Sequence, residues 1–114
     1  MAPDLKYTKR VYLRFKIPEK MVTYMARGQL GKAELINISA GGCSVNNSTT
    51  NLEKNDPVLI VIEMVDCDAP LELKARVTRA KTGQFSTEFT EMDDTFRTTL
   101  TRLLVKESRS RSGQ

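Results

Sequence analysis

The stretch VLIVIEMVDCDAPLELKARVT, residues 58–78, decides the fold. Its first eight residues form an almost unbroken apolar run rich in β-branched side chains, which favours strand over helix at that length. The turn formers of residues 66–70 follow. From Leu71 the pattern alternates, with Leu71, Leu73, Ala75 and Val77 apolar and Glu72, Lys74, Arg76 and Thr78 between them. A period of two puts the two sets on opposite faces of a strand. Downstream, Gly83 marks another turn, and Phe85, Thr87 and Phe89 carry a last strand. Upstream, Val11, Leu13, Phe15 and Ile17 alternate with Tyr12, Arg14 and Lys16, which predicts a half-buried strand ended by Pro18. Residues 21–26 form a weakly patterned strand. Residues 32–38 form another, entered from Gly28 and Gly31 and closed by Ser39-Ala40-Gly41-Gly42. Residues 43–45 resume as a strand, and residues 46–55 read as a polar loop. Spaced strands with turn signals between them predict a small all-β barrel or sandwich.

The period then changes. Asp93 or Asp94 can cap a helix. Phe96, Leu100, Leu103 and Leu104 fall on one helical face, which should pack onto the barrel and run to about Lys106. Residues 108–114, rich in Ser and Arg, read as a disordered basic tail.

The 114 residues fit one domain. The net charge of +4 is uneven, because Lys6, Lys9, Arg10, Arg14, Lys16 and Lys20 crowd the start and Arg102, Lys106, Arg109 and Arg111 the end. Such asymmetry fits an anionic partner, or at the C-terminus simply a solvated tail. The chain has no histidine and two cysteines, Cys43 and Cys67. Two isolated thiols do not make a zinc site, and they read as small buried hydrophobes of a cytoplasmic protein. The opening MAPDLKYTKR has no apolar leader pattern, and no apolar run approaches ~18 residues, so no membrane span is expected.

Two motifs carry the chemistry. Arg10-Val11-Tyr12-Leu13-Arg14 is R-x-x-x-R, and Asn37-Ile38-Ser39-Ala40-Gly41-Gly42 is N-x-S-x-x-G. Each alone is weak, since a basic chain produces the first by chance and ordinary turns produce the second. In this order, with 22 residues between Arg14 and Asn37, the pair resembles the cyclic-di-GMP signature of the PilZ family. The resemblance extends to FSTEFTEMD, residues 85–93, which is similar to the family's last strand leading into its helix. It covers roughly residues 9–105. It implies an all-β fold with a C-terminal helix, a small antiparallel six-stranded barrel. The organisation expected is a flexible segment over residues 1–8, a PilZ domain over 9–107 and the tail over 108–114.

The residue types suit the ligand that the resemblance implies. Cyclic-di-GMP offers two phosphates and two guanines. An Arg fork meets guanine O6 and N7, or a phosphate, bidentately, and its flat face stacks on a purine. Two arginines four positions apart in an extended segment lie about 13 Å apart on one side. Arg14 belongs to the polar side of its strand, opposite Leu13 and Phe15. The resemblance implies that Arg10, Arg14, Asn37 and Ser39 bind the nucleotide and that Gly42 lets the backbone turn close to it. Lys9 and Gly41 are further candidates. It also implies that residues 6–10 fold over the ligand and so signal to a separate, unidentified effector protein. Asn37 stands where many members have Asp, a change that keeps an acceptor, gains a donor and loses a charge. No cofactor and no metal are implied.

Other readings compete. An enzyme is disfavoured, because no histidine is present for base catalysis and neither cysteine lies in a nucleophile setting. A nucleic-acid-binding barrel needs exposed aromatics. Phe15, Phe85, Phe89 and Phe96 sit at predicted core positions, which leaves only Tyr7, Tyr12 and Tyr24. A third reading is a PilZ-like interaction protein that binds no nucleotide; retention of both motifs argues against it.

Overall fold

The computed structural model describes residues 12–65 and 67–112. The apolar run forms strand β4 (Pro57–Ile62), and the alternating run forms β5 (Leu71–Lys81). They pair antiparallel from Pro57↔Arg76 to Ile62↔Leu71. Ahead of them come β1 (Met21–Ala26), β2 (Gln29–Ile38) and β3 (Gly42–Asn46), and after them β6 (Gln84–Phe89). The order β1-β2-β3-β6-β5-β4 closes on itself through pairing of β1 with β4, so every strand of the barrel has a partner on both sides over part of its length. All six pairings are antiparallel.

Local chemistry explains the strand limits. β1 and β2 meet in a two-residue turn, Arg27-Gly28, with φ of 55° and 73°, the mirror-image turn that matches strand twist. This turn starts β2 at Gln29, three residues earlier than the hydrophobic pattern indicates. β1 alternates cleanly, with Val22, Tyr24 and Ala26 buried. In β2 the register shifts between Leu35 and Asn37. This bulge inserts Ile36, so Ile36 and Asn37 in succession escape the core before Ile38 returns to it.

The core gathers inward residues of every strand. Tyr24 is fully buried, edge-on to Phe85 with ring centroids 5.1 Å apart, and its hydroxyl lies 2.8 Å from Thr50 Oγ1. Helix α1 (Asp94–Ser112) follows the barrel. Asp93 caps it, its Oδ1 accepting the Phe96 N–H at 2.8 Å. Leu100 and Leu104 are fully buried in the same apolar cluster. Burial on this scale stabilises by about 1.5–3 kcal/mol per side chain.

Several expectations are corrected. Residues 12–17 are not a barrel strand. They make a single bridge, Phe15↔Ile38, with Leu13 68% exposed, so Arg14 does not stand opposite a buried Leu13. β1 covers only residues 29–34 of the longer β2, and Phe15 uses the edge left beside Ile38. α1 runs past Lys106 to Ser112, which corrects the disordered reading for residues 108–112. No Pro or Gly interrupts residues 94–112, and Arg is a good helix former. Tyr24 is a core residue, not a free stacking platform. Phe15 and Phe96 are only half-buried, and so is Cys67. Residues 1–8, Lys9, Arg10 and residues 113–114 lie outside the described residues. Among the described residues, no helix is long and apolar enough to cross a membrane.

Candidate functional site

The two motifs meet through the backbone. Phe15 N–H donates to the Ile38 carbonyl at 2.8 Å, and Ile38 N–H donates back at 3.0 Å. This bridge lays the end of the first motif beside the start of the second. Arg14 Nη1 then donates to Asn37 Oδ1 at 2.7 Å, across 23 positions of sequence. The bulge makes this contact possible, because strict alternation from the buried Leu35 would turn Asn37 inward.

Ser39 is only 3% exposed. Its Oγ accepts the Gly41 N–H at 3.0 Å, and its own N–H donates to the Gly42 carbonyl at 2.9 Å. The hydroxyl therefore builds the corner between β2 and β3. Gly41 ties that corner to the end of β6, its carbonyl accepting the Phe89 N–H at 2.9 Å. Gly42 does not take a positive φ. A Cβ there would lie 2.0 Å from the Thr87 carbonyl oxygen, so glycine is needed for close contact with β6. Gly42 also lines the cleft described next. At Gly41 a Cβ would lie 2.7 Å from the Tyr12 ring, which rests on the bare glycine.

A cleft of about 550 Å³ opens over this corner, lined by Tyr12, Arg14, Ser39, Gly42, Thr87 and Arg97 among others. That size falls within the range of small-molecule sites, about 300–1,000 Å³. A separate groove of about 250 Å³ has Asn37, Ser44 and Arg79 in its wall. Arg14, Ser39, Gly41 and Gly42 thus share one cleft, with Asn37 bonded to its rim. Arg10 and Lys9 are outside the described residues.

Beneath the corner, burial raises the Cys43 thiol from 9.0 to about 11, against smaller lowering by its Thr87 hydrogen bond and the Arg14 charge. The thiol stays neutral near pH 7 and is inert packing. Glu88 is bound to Arg76 at 3.0 Å. The patterning of the sequence does not flag Arg97, whose guanidinium carbon lies 5.6 Å from the Tyr12 ring centroid. The only hint was its place one turn before Leu100 and Thr101, on a face that must approach the barrel.

The family model described as PilZ domain matches residues 8–106. The chain belongs to the PilZ domain family. Solved PilZ structures share its fold. The PilZ domain of CeSA from a cellulose-synthesizing bacterium is 21% identical, with a TM-score of 0.65 over 82% of this chain and 96% of that one. The PilZ domain of Escherichia coli YcgR, solved with c-di-GMP, is 15% identical, with a TM-score of 0.69 over 93% and 98%. The Borreliella burgdorferi PlzA protein, in complex with c-di-GMP, is 14% identical, with a TM-score of 0.61 over 92% of this chain and 43% of that one. No curated protein matches the chain.

Proposed function

We propose that this PilZ domain is a cyclic-di-GMP receptor and adaptor, a binding module and not an enzyme. The observation that carries the reading is the 2.7 Å bond from Arg14 to Asn37, which joins the two motifs at the rim of a ligand-sized cleft. The YcgR and PlzA structures hold c-di-GMP in the same fold, which supports the choice of ligand. Arg14 would meet a guanine edge or a phosphate with its fork. Asn37, its oxygen held by Arg14, offers its amide donors. Ser39 and Gly42 hold the corner in shape, and Gly41 keeps it open beside Tyr12. Arg10 and Lys9 would complete the charge from outside the described residues.

Calorimetric titration with cyclic-di-GMP tests this. Arg14→Ala removes charge-assisted hydrogen bonds worth about 1.5–3 kcal/mol, so affinity should fall roughly ten- to a hundredfold. Unchanged affinity in Arg14→Ala, or no binding by the wild type, rejects the assignment.

The adaptor role rests on residues 6–10 closing over the bound nucleotide and presenting a new surface to an effector protein. Hydrogen exchange across residues 4–14 should slow at saturating ligand. Exchange that is the same with and without nucleotide rules out this route of signalling.

A further inference from the structure

Arg97 is placed for more than surface charge. Asp93 caps the helix, and the Arg97 N–H donates to the Asp93 carbonyl at 3.0 Å, which fixes the first turn. The side chain is 27% exposed and lines the cleft with Arg14. Its Nε is buried, and no N–H of the guanidinium makes a hydrogen bond to any described residue. Its nearest carboxylate, Asp94, lies at 3.9 Å, too far for a hydrogen bond and itself fully solvated. Three other arginines have short-range partners, Arg14 with Asn37, Arg27 with Asp56 and Arg76 with Glu88, and of these only Arg14 shares the cleft with Arg97.

Two physical facts make this arrangement informative. Burying part of an unsatisfied guanidinium is costly, and the start of a helix disfavours a cation. The Tyr12 ring offsets part of that by holding the planar group at 5.6 Å. Contact with the ring uses none of the N–H donors, so the guanidinium keeps a fork that matches two phosphate oxygens. Glu88, the acid in the cleft wall, is paired with Arg76 at 3.0 Å, and Arg14 and Arg97 are the cations that line the cleft.

We propose that Arg97 is a further ligand residue, contributed by the helix, which takes a phosphate of the cyclic dinucleotide in the cleft. The inference rests on the proposed receptor function and adds to it a contact from α1, an element that neither motif includes. Ligand binding would then act on the helix as well as on the N-terminal segment.

Calorimetry of cyclic-di-GMP with wild type, R14A, R97A and R97K at low and high salt tests it. R97A should weaken binding roughly ten- to a hundredfold and flatten its salt dependence. R97K, which keeps the charge but not the fork, should recover part of the loss. The ligand-free thermal midpoint of R97A should stay near wild type. R97A binding within about twofold of wild type overturns the inference. So does a loss with unchanged salt dependence and no recovery in R97K, which marks a merely structural role. If R14A loses binding while R97A keeps it, the receptor reading stands and this inference alone falls. If the wild type binds nothing, both fall.

Discussion

Gly41 and Gly42 are adjacent and both lack a side chain for steric reasons, yet the two reasons have different consequences. At Gly42 an added methyl would sit 2.0 Å from the Thr87 carbonyl oxygen and 3.2 Å from Glu88 Cα, all backbone. Nothing there can rotate away, so β3 and β6 would have to part. The Cys43 N–H bond to Thr87 Oγ1, 3.3 Å, would go with them. Gly42→Ala should therefore lose about 3 kcal/mol or more, at the upper end of overpacking costs. At Gly41 the obstacle is the Tyr12 ring, a side chain at the cleft that can swing aside. Gly41→Ala should lose less than about 1 kcal/mol. Urea unfolding midpoints separate the two, and equal losses would show that the β3–β6 contact is not what demands glycine at position 42. The N-x-S-x-x-G pattern revealed that glycine matters here. It could not reveal that Gly42 serves strand packing while Gly41 faces the cleft, because that depends on β6, over forty residues away.

At the scale of elements, legibility tracked local chemistry. β4 and β5 were readable because β-branched residues fill β4, with Leu59 and Val61 half-buried between the buried Val58, Ile60 and Ile62, while β5 alternates apolar and charged side chains. The helix start was readable for the same local reason, as Asp93 or Asp94, and only the Phe96 N–H bond to Asp93 Oδ1 selects Asp93. Residues 12–17 carry an equally good alternation but make one bridge. The ring is already complete without them, Pro18 lacks an N–H donor, and Glu19 turns away at φ 59°. Alternation reports what a segment can do, and the number of open edges decides whether it does so. The bulge at Ile36 was invisible too, since no glycine marks it, yet it is what points Asn37 toward Arg14. The site was therefore legible as a pair of motifs, while its geometry depended on a register shift. Arg97 escaped for a further reason. It lies beside the apolar stripe of α1, where a charged residue reads as solvated surface unless the barrel wall facing it is known.

At the scale of the molecule, α1 must be held to a barrel that is complete without it. Leu100 and Leu104 do this with apolar contact in the helix's middle. Beyond them the anchor is ionic. Glu107, 4% exposed, accepts the Val65 N–H at 2.7 Å and the Lys20 ammonium at 3.2 Å. Lys20 also donates to the Glu63 carbonyl. One carboxylate thus ties the helix to the segment before β1 and to the chain just past β4. The pair is worth little against well-packed apolar residues, since desolvation offsets most of its attraction, but breaking it is another matter. Glu107→Ala orphans the Val65 N–H and leaves the largely buried Lys20 ammonium with the Glu63 carbonyl but no counter-charge, and should cost about 3 kcal/mol, the low end for breaking a buried pair. Glu107→Gln keeps an oxygen for Val65 and should cost less. The double variant Lys20→Met with Glu107→Leu removes both charges together and should recover most of the loss. Thermal or urea unfolding of the four proteins measures this, and hydrogen exchange over residues 105–112 reports whether the helix end loosens first. If Glu107→Ala and the double variant lose stability equally, the cost lies in the missing packing rather than in an orphaned charge, and the ionic account of helix docking is wrong.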